Sequence, residues 1–282
     1  MAGNLRVTLY KALWCLVIPL LFLALWSHLA AHAENEIILP RFTQVFELLV
    51  HPSANLISMG SLATNILVSL ARVMAGYLLA VLIAIPVGVL MGYYGSIFSL
   101  LNGFLAIFRP IPPLAWVPLV LAWFGVASLA TVLGIQMGKW YIYLNNLKLS
   151  MIFIIFIGSF YPVLTSSIHG VRNVKKTLLD SARVLGASEL SIFRKILIPA
   201  AAPSIVTGMR IGLGVGWMCL VSAEMLPGSI SGVGYLITHA YTVARTDIVI
   251  AGMISIGVVG ALLDLVFRYV EEKKFGWQRL AR

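Results

Sequence analysis

From Ala12 to Ala33 the chain runs 22 residues without an Asp, Glu, Lys or Arg, and from Val73 to Phe108 it runs 36. Stretches of this length match a bilayer, since about 20 helical residues rising about 1.5 Å each cross a hydrocarbon core of about 30 Å. Charged residues make up 11% of the 282 and hydrophobic ones 60%, whereas an ordinary soluble domain is roughly one quarter charged. A soluble domain is therefore excluded, and the arithmetic leaves room for five to seven membrane crossings.

The reading that follows is an all-α, polytopic membrane protein of about six spans. Span one is Ala12 to Ala33; a cleaved signal peptide ending at Ala31-His32-Ala33 is the rival, but the block exceeds the usual apolar region of about 7–15 residues. Glu34 to Thr64 is a polar connection interrupted by Pro40 and Pro52. Span two runs from Asn65 to Tyr93, with Arg72 near its start and Pro86 inside. Tyr94 to Phe108 is a short helix or re-entry, stopped by Arg109-Pro110-Ile111-Pro112-Pro113, because proline lacks the amide and clashes with the preceding turn. Span three is placed at Leu114 to Leu133, span four at Leu149 to Ile168, span five at Ser204 to Ala223 and span six at Ile248 to Phe267; Gly134 to Lys148 is half polar and unassigned. The expected organisation is an N-terminal helix and external connection over 1–55, a core of five membrane-crossing helices over 56–275 and a cytoplasmic tail over 276–282.

The formal net charge of +10 raises the question of nucleic acid, and position answers it. Lys and Arg sit between hydrophobic blocks and at the ends, without a basic domain or interleaved stacking aromatics, so nucleic acid is not an expected partner. With the N-terminus inside, the inner segments hold thirteen of these cations: two before span one, six in residues 170–200 and five from Arg268 onward. The outer segments hold four, Arg41, Lys139, Lys148 and Arg245. This asymmetry places both termini in the cytoplasm. Cys15 and Cys219 fall in apolar segments and form no metal or disulfide pattern.

Residues 170–200 are the unusual feature. Apolar residues recur at helical spacing, first Leu178, Leu179, Ala182 and Leu185, then Leu190, Phe193, Ile196 and Leu197, which predicts two short amphipathic helices. Gly186 separates them by closing the first, Ser188 can cap the second, and Glu189 suits its positive end. A solvated loop and a docking element for a cytoplasmic partner both fit these residues.

The spacing Asp180-Ser181-Ala182, three residues, Gly186, nine residues, Ile196-x-Ile198-Pro199 resembles the EAA loop, E-A-A-x3-G-x9-I-x-L-P, of permease subunits of ATP-binding-cassette importers. Further matches are Ser69-x2-Arg72-x3-Gly76, Arg109-Pro-Ile-Pro-Pro-Leu-Ala-Trp116 with Trp123-Phe-Gly125, Ala223-Glu224-Met225, Gly232-Val-Gly-Tyr235 and Arg245-Thr-Asp247. Together they resemble the branch serving nitrate, sulfonate, taurine and bicarbonate, over about residues 55–275. Against it, Ala127 to Lys148 looks like an insertion of some 20 residues. The resemblance implies a type I importer permease in the bacterial inner membrane, with a cytoplasmic coupling helix gripped by separate ATP-binding subunits, an external solute-binding protein and a second copy of itself. Asp180, Ser181, Ala182, Gly186, Ala187 and Pro199 would then form the ATPase contact. ATP and Mg would be bound by the partner and no cofactor by this chain, whose nearest approach to a P-loop, Gly134 to Trp140, has the wrong spacing.

Ionisable residues in spans are functional candidates because their burial in lipid is costly. Arg72, Arg210 and Glu224 could line a translocation pathway, though each arginine could equally snorkel or pair with a carboxylate; Asp264 is expected to pair with Arg268 at i+4. Gly208, Gly212 and Gly216 form a small-residue stripe for close helix packing, within one subunit or across a homodimer. The five histidines lack metal-ligand spacing and no nucleophile motif is present. An ion-coupled secondary transporter is the alternative function, and a membrane enzyme is a weaker one, lacking a catalytic constellation.

Overall fold

The structure, a computed structural model, describes residues 2–33, 35–56, 59–226 and 228–275, with side chains from Val17 onward. The expected tail over 276–282 and the Glu34 and Cys15 side chains lie outside that description. The described residues are helical, with isolated bridges in place of strands. In chain order the helices are α1 (Ala2–His32), α2 (Phe42–Val50), α3 (Leu62–Tyr93), α4 (Gly95–Phe108), α5 (Val117–Phe124), α6 (Leu129–Val132), α7 (Lys139–Asn145), α8 (Leu149–Arg172), α9 (Lys176–Val184), α10 (Glu189–Ile192), α11 (Ile198–Glu224), α12 (Val233–Thr242) and α13 (Thr246–Phe275).

Among the described residues four helical runs are long and apolar enough to cross a membrane singly: α3, α8, the run Glu189–Glu224 and α13. The third span is built differently from the sequence expectation. Helix α5 holds 8 residues, about 12 Å of helix, too short for a core of about 30 Å. It follows α4 across an 80° bend, the geometry of a broken span or of a re-entrant loop. The reason is local: Pro110, Pro112 and Pro113 end α4, the chain restarts as a 3-10 turn at Pro113–Trp116, and Gly125 at φ 53° stops α5. Leu114 to Leu133 is therefore not a continuous helical crossing, and Tyr94 to Phe108 holds the short helix expected before the prolines.

The chain divides into two compact units, one of residues 1–64 and 236–255, the other of residues 65–235 and 256–282. In the smaller unit Trp26, Ala30, Val45 and Ala251 form the core. The Trp26 indole donates to the Pro40 carbonyl at 3.1 Å, which fastens the polar connection to α1.

In the larger unit α8 is the axis. Thirteen of its 24 residues are buried, with α11 lying along it. The stripe Gly208, Gly212 and Gly216 faces α8: a Cβ on Gly212 would come within 2.8 Å of Val163 Cγ2 and 3.0 Å of the Ser159 carbonyl oxygen. Helix α3 approaches α8 in the same way, since a Cβ on Gly76 would sit 2.6 Å from that of Ile155. Small residues let the backbones close to this distance, where van der Waals contact and not water exclusion drives association.

Replacing Gly212 by Leu should overpack this seam and lower stability by about 1–3 kcal/mol. Gly214 has no atom within 4 Å of a built Cβ, so Gly214→Ala should be neutral or stabilise by roughly 0.5–1 kcal/mol. Thermal midpoints of the detergent-solubilised chain test the contrast, and a wild-type midpoint for Gly212→Leu would refute the packing assignment.

Candidate functional site

Asn65, Ser69 and Arg72 lie at i, i+4 and i+7 on α3 and so share a face. Glu224 ends α11, and Gly232-Val233-Gly234 leads into α12. These motifs, separated by about 150 residues of chain, meet at one end of the larger unit. Arg72 and Glu224 side chains are both 0% exposed, and their charges approach to 2.7 Å.

Four of the five Arg72 N–H groups are bonded. Arg72 Nε donates to the Asn146 carbonyl at 2.7 Å, Nη1 to Glu224 Oε1 and to the Ser231 carbonyl, each at 2.7 Å, and Nη2 to Ser231 Oγ at 2.8 Å. The Glu224 carboxylate also accepts from Ser69 Oγ at 2.8 Å and the Gly234 amide at 3.1 Å. Around it, Asn65 Oδ1 accepts the Gly232 amide at 2.8 Å and Ser69 Oγ the Val233 amide at 3.0 Å. Taking two ions out of water costs several kcal/mol each, and only such extensive hydrogen bonding offsets it. Gly232 stands at φ +108°, and a Cβ there or on Gly234 would collide with Glu224, so the motif needs glycine at both positions.

The opposite end carries the hairpin. Tyr93 ends α3, 21 residues beyond Arg72 and so about 30 Å away along the helix. Helix α9 closes at Gly186, φ +81°, with the Ala187 amide donating to the Ala182 carbonyl at 3.0 Å and the Gly186 amide to that of Arg183 at 2.9 Å. This is a Schellman turn, which favours glycine at the left-handed position. Ser188 Oγ then caps α10 by accepting from the Ser191 amide at 3.4 Å. Arg183 braces the turn, donating to Glu189 Oε1 at 2.9 Å and to Asp180 Oδ1 at 3.0 Å, while Tyr93 donates its hydroxyl to Glu189. Val174, Leu179 and Phe193 pack onto a core of Val89, Val171, Leu197, Ala201 and Ile205. A π-helical stretch, Phe193–Leu197, fuses α10 to α11, making one helical run of 36 residues from Glu189 to Glu224.

The hairpin's tip is bare. Val184 is 87% exposed and Leu185 86%, with Leu190 and half of Leu178 open beside them. Of the expected coupling residues, Ala182 is buried, Ala187 is half-buried, and Asp180, Ser181, Gly186 and Pro199 are exposed. Asp180 is engaged by Arg183, and Ser181 donates to the Thr177 carbonyl at 2.7 Å.

The pathway candidates separate. Arg72 and Glu224 bond to each other and present no surface to a passage in this conformation. Arg210, with a quarter of its side chain exposed, lies 3.8 Å from both Asp264 and Glu271, while Asp264 pairs with Arg268 at 2.6 Å. Among the described residues no group of three His, Cys, Asp or Glu is placed to hold a metal.

Sequence reasoning assigned no role to Asn65, Ser69, Tyr93, Asn146, Arg183 or Ser231. The available signal was the polar stripe Asn65, Ser69, Arg72 on an otherwise apolar helix.

Against known proteins, the chain matches the family described as "Binding-protein-dependent transport system inner membrane component" over residues 81–276. It is 46% identical over 265 residues to a putative ABC transporter permease protein of Methanocaldococcus jannaschii, covering 94% of this chain and 92% of that one. It is 32% identical over 253 residues to the taurine transport system permease protein TauC of Escherichia coli, covering 89% and 84%. Further relatives are named as nitrate import and aliphatic sulfonate permeases. Among solved structures, a chain of the inward-facing MetNI methionine ABC transporter aligns with a TM-score of 0.62 at 16% identity, covering 77% of this chain and 97% of that one.

Truncating Arg72 or Glu224 alone to Met should strand a buried charge and cost on the order of 3–5 kcal/mol, while the double variant should cost less than the sum. A double-mutant cycle of unfolding midpoints measures this. Additive losses would show that the two charges do not depend on each other.

Proposed function

The chain belongs to the family of binding-protein-dependent transport system inner membrane components and is the permease subunit of an ATP-binding-cassette importer; from that premise we propose how its two ends divide the work and what it carries. Its solute is a small oxyanion of the sulfonate, taurine, nitrate or bicarbonate kind, supported by the names of its relatives. Two copies assemble with two cytoplasmic ATP-binding subunits and receive solute from an external binding protein. Both termini and the hairpin lie in the cytoplasm, supported by the thirteen-to-four cation asymmetry.

The observation that carries the coupling role is the hairpin itself. Val184 and Leu185 project two large aliphatic groups at its tip, and an exposed apolar surface in water calls for a protein partner. Behind them Arg183, Asp180, Glu189 and Tyr93 hold the turn rigid, and the 36-residue run to Glu224 leaves no loop in which displacement could be lost. ATP-driven closure of the partner subunits would push this lever, the run would move as one helix, and the opposite end would open to the binding protein. ATP and Mg bind and react in the partner; this chain contributes the lever and the passage.

Leu185→Asp should replace an apolar contact by a charge, and Gly186→Val should oppose the left-handed turn. In proteoliposomes of the whole importer, either variant should insert normally, lower uptake tenfold or more and leave ATP turnover unresponsive to the loaded binding protein. Wild-type uptake in both would refute the coupling role.

A further inference from the structure

The end of the larger unit that buries Arg72 and Glu224 carries a second cation without a carboxylate of its own. Lys148 precedes α8, and its ammonium donates to two neutral oxygens, the Val126 carbonyl at 3.2 Å and Asn145 Oδ1 at 3.1 Å. The Arg72 charge acts on Lys148, while Arg72 itself is paired with the Glu224 carboxylate. Burial, and next the Arg72 charge, push the Lys148 ammonium below the usual lysine range. Lys148 thus brings to this end a positive charge that bonds to neutral oxygens and not to a carboxylate.

Lys148 lines a cavity of about 230 Å³ together with Ser150. Ser150 is 5% exposed, and its hydroxyl has no hydrogen-bond partner among the described residues. The amides of Ser150 and Met151, in the first turn of α8, likewise find no backbone acceptor among the described residues. Unpaired amides at the start of a 24-residue helix favour negative charge through both hydrogen bonding and the helix dipole. The remaining wall is aliphatic, including Val117, Leu121, Ile154 and Leu226. The space equals about seven waters at ~30 Å³ each, enough for an ion of that many heavy atoms.

We propose that this cavity is a subsite for a small organic oxyanion, a sulfonate or carboxylate on a short aliphatic tail. Its head takes Lys148 Nζ, Ser150 Oγ and the first-turn amides of α8, and its tail lies against Val117, Leu121 and Ile154. The inference rests on the reading of the chain as an oxyanion permease and adds where the chain itself would meet its cargo. An inorganic anion would use the head position and leave the aliphatic wall uncovered, so the wall favours the organic class.

The test is calorimetric titration of the purified permease–ATPase complex, without binding protein, using ethanesulfonate and its neutral isostere ethanesulfonamide. Ethanesulfonate should bind saturably and the sulfonamide at least tenfold more weakly. Lys148→Gln should lose at least tenfold in ethanesulfonate affinity, Lys148→Arg should recover most of it, and Ser150→Ala should lose a few-fold. A merely structural lysine would shift both probes alike. The subsite is overturned if the wild type does not bind ethanesulfonate, if Lys148→Gln binds as the wild type does, or if the neutral isostere binds equally well. Uptake assays separate the two levels: ATP-driven uptake of sulfonate without binding here defeats the subsite alone, whereas uptake restricted to a neutral or cationic solute defeats the oxyanion reading.

Discussion

A fully buried arginine and glutamate cannot tolerate partial assembly. Each charge left alone in a membrane protein's interior is costly, and at Arg72 and Glu224 the cost is offset only when four separate segments are in place: the start of α3, residues 145–148, the end of α11 and residues 229–234. The loop atoms involved are main chain as well as side chain, the Asn146 and Ser231 carbonyls and the Gly234 amide. The pair therefore specifies the conformation of two irregular segments that have little apolar surface of their own to position them. Gly232 and Gly234 follow from this: the loop must pass so close to the carboxylate that no side chain fits between.

The other end of the same helical run repeats the device in water. Glu224 at one terminus reaches Arg72 on α3, and Glu189 at the other reaches Tyr93, also on α3. Two helices tied at both ends cannot slide past each other without breaking one tie, so a force on the hairpin acts on the pair as a body. The internal tie is a buried ion pair and expensive to break, and the hairpin's is an exposed hydrogen bond from a tyrosine hydroxyl to a carboxylate.

Local features of this architecture were legible from residues alone. The Gly186 turn and Ser188 cap depend on contacts within five residues, and the Asp264–Arg268 pair on one helical turn. The glycine stripe on α11 declared close packing without naming the neighbour, which is α8. The third span is not the single helix expected, because apolar residues continue on both sides of Pro110 to Pro113 and hydropathy does not register the 80° bend that separates the two helices there. Arg72 and Glu224 each stood out as ionisable residues in apolar helices, but their pairing joins positions 152 apart and no periodicity reports that. Glu189 was hidden differently: its fit to a helix N-terminus explained it locally, while its carboxylate serves Arg183 and Tyr93.

Exposed apolar surface means different things at different heights in this molecule. With Gly208, Gly212 and Gly216 committed to α8, the face of α11 left open carries Ile211 (49% exposed), Gly214 and Met218 (70%). In hydrocarbon that face needs no protein cover, because lipid tails are as apolar as the side chains, and only close packing would favour a second copy there. Val184 and Leu185 differ in kind. They lie on a hairpin rich in Lys, Arg, Asp and Glu, flanked by exposed ion pairs, at a level where water is the alternative contact. Roughly 25 cal/mol per Å² of apolar area opposes their solvation there, which gives them a physical claim to a protein partner that the open face of α11 lacks.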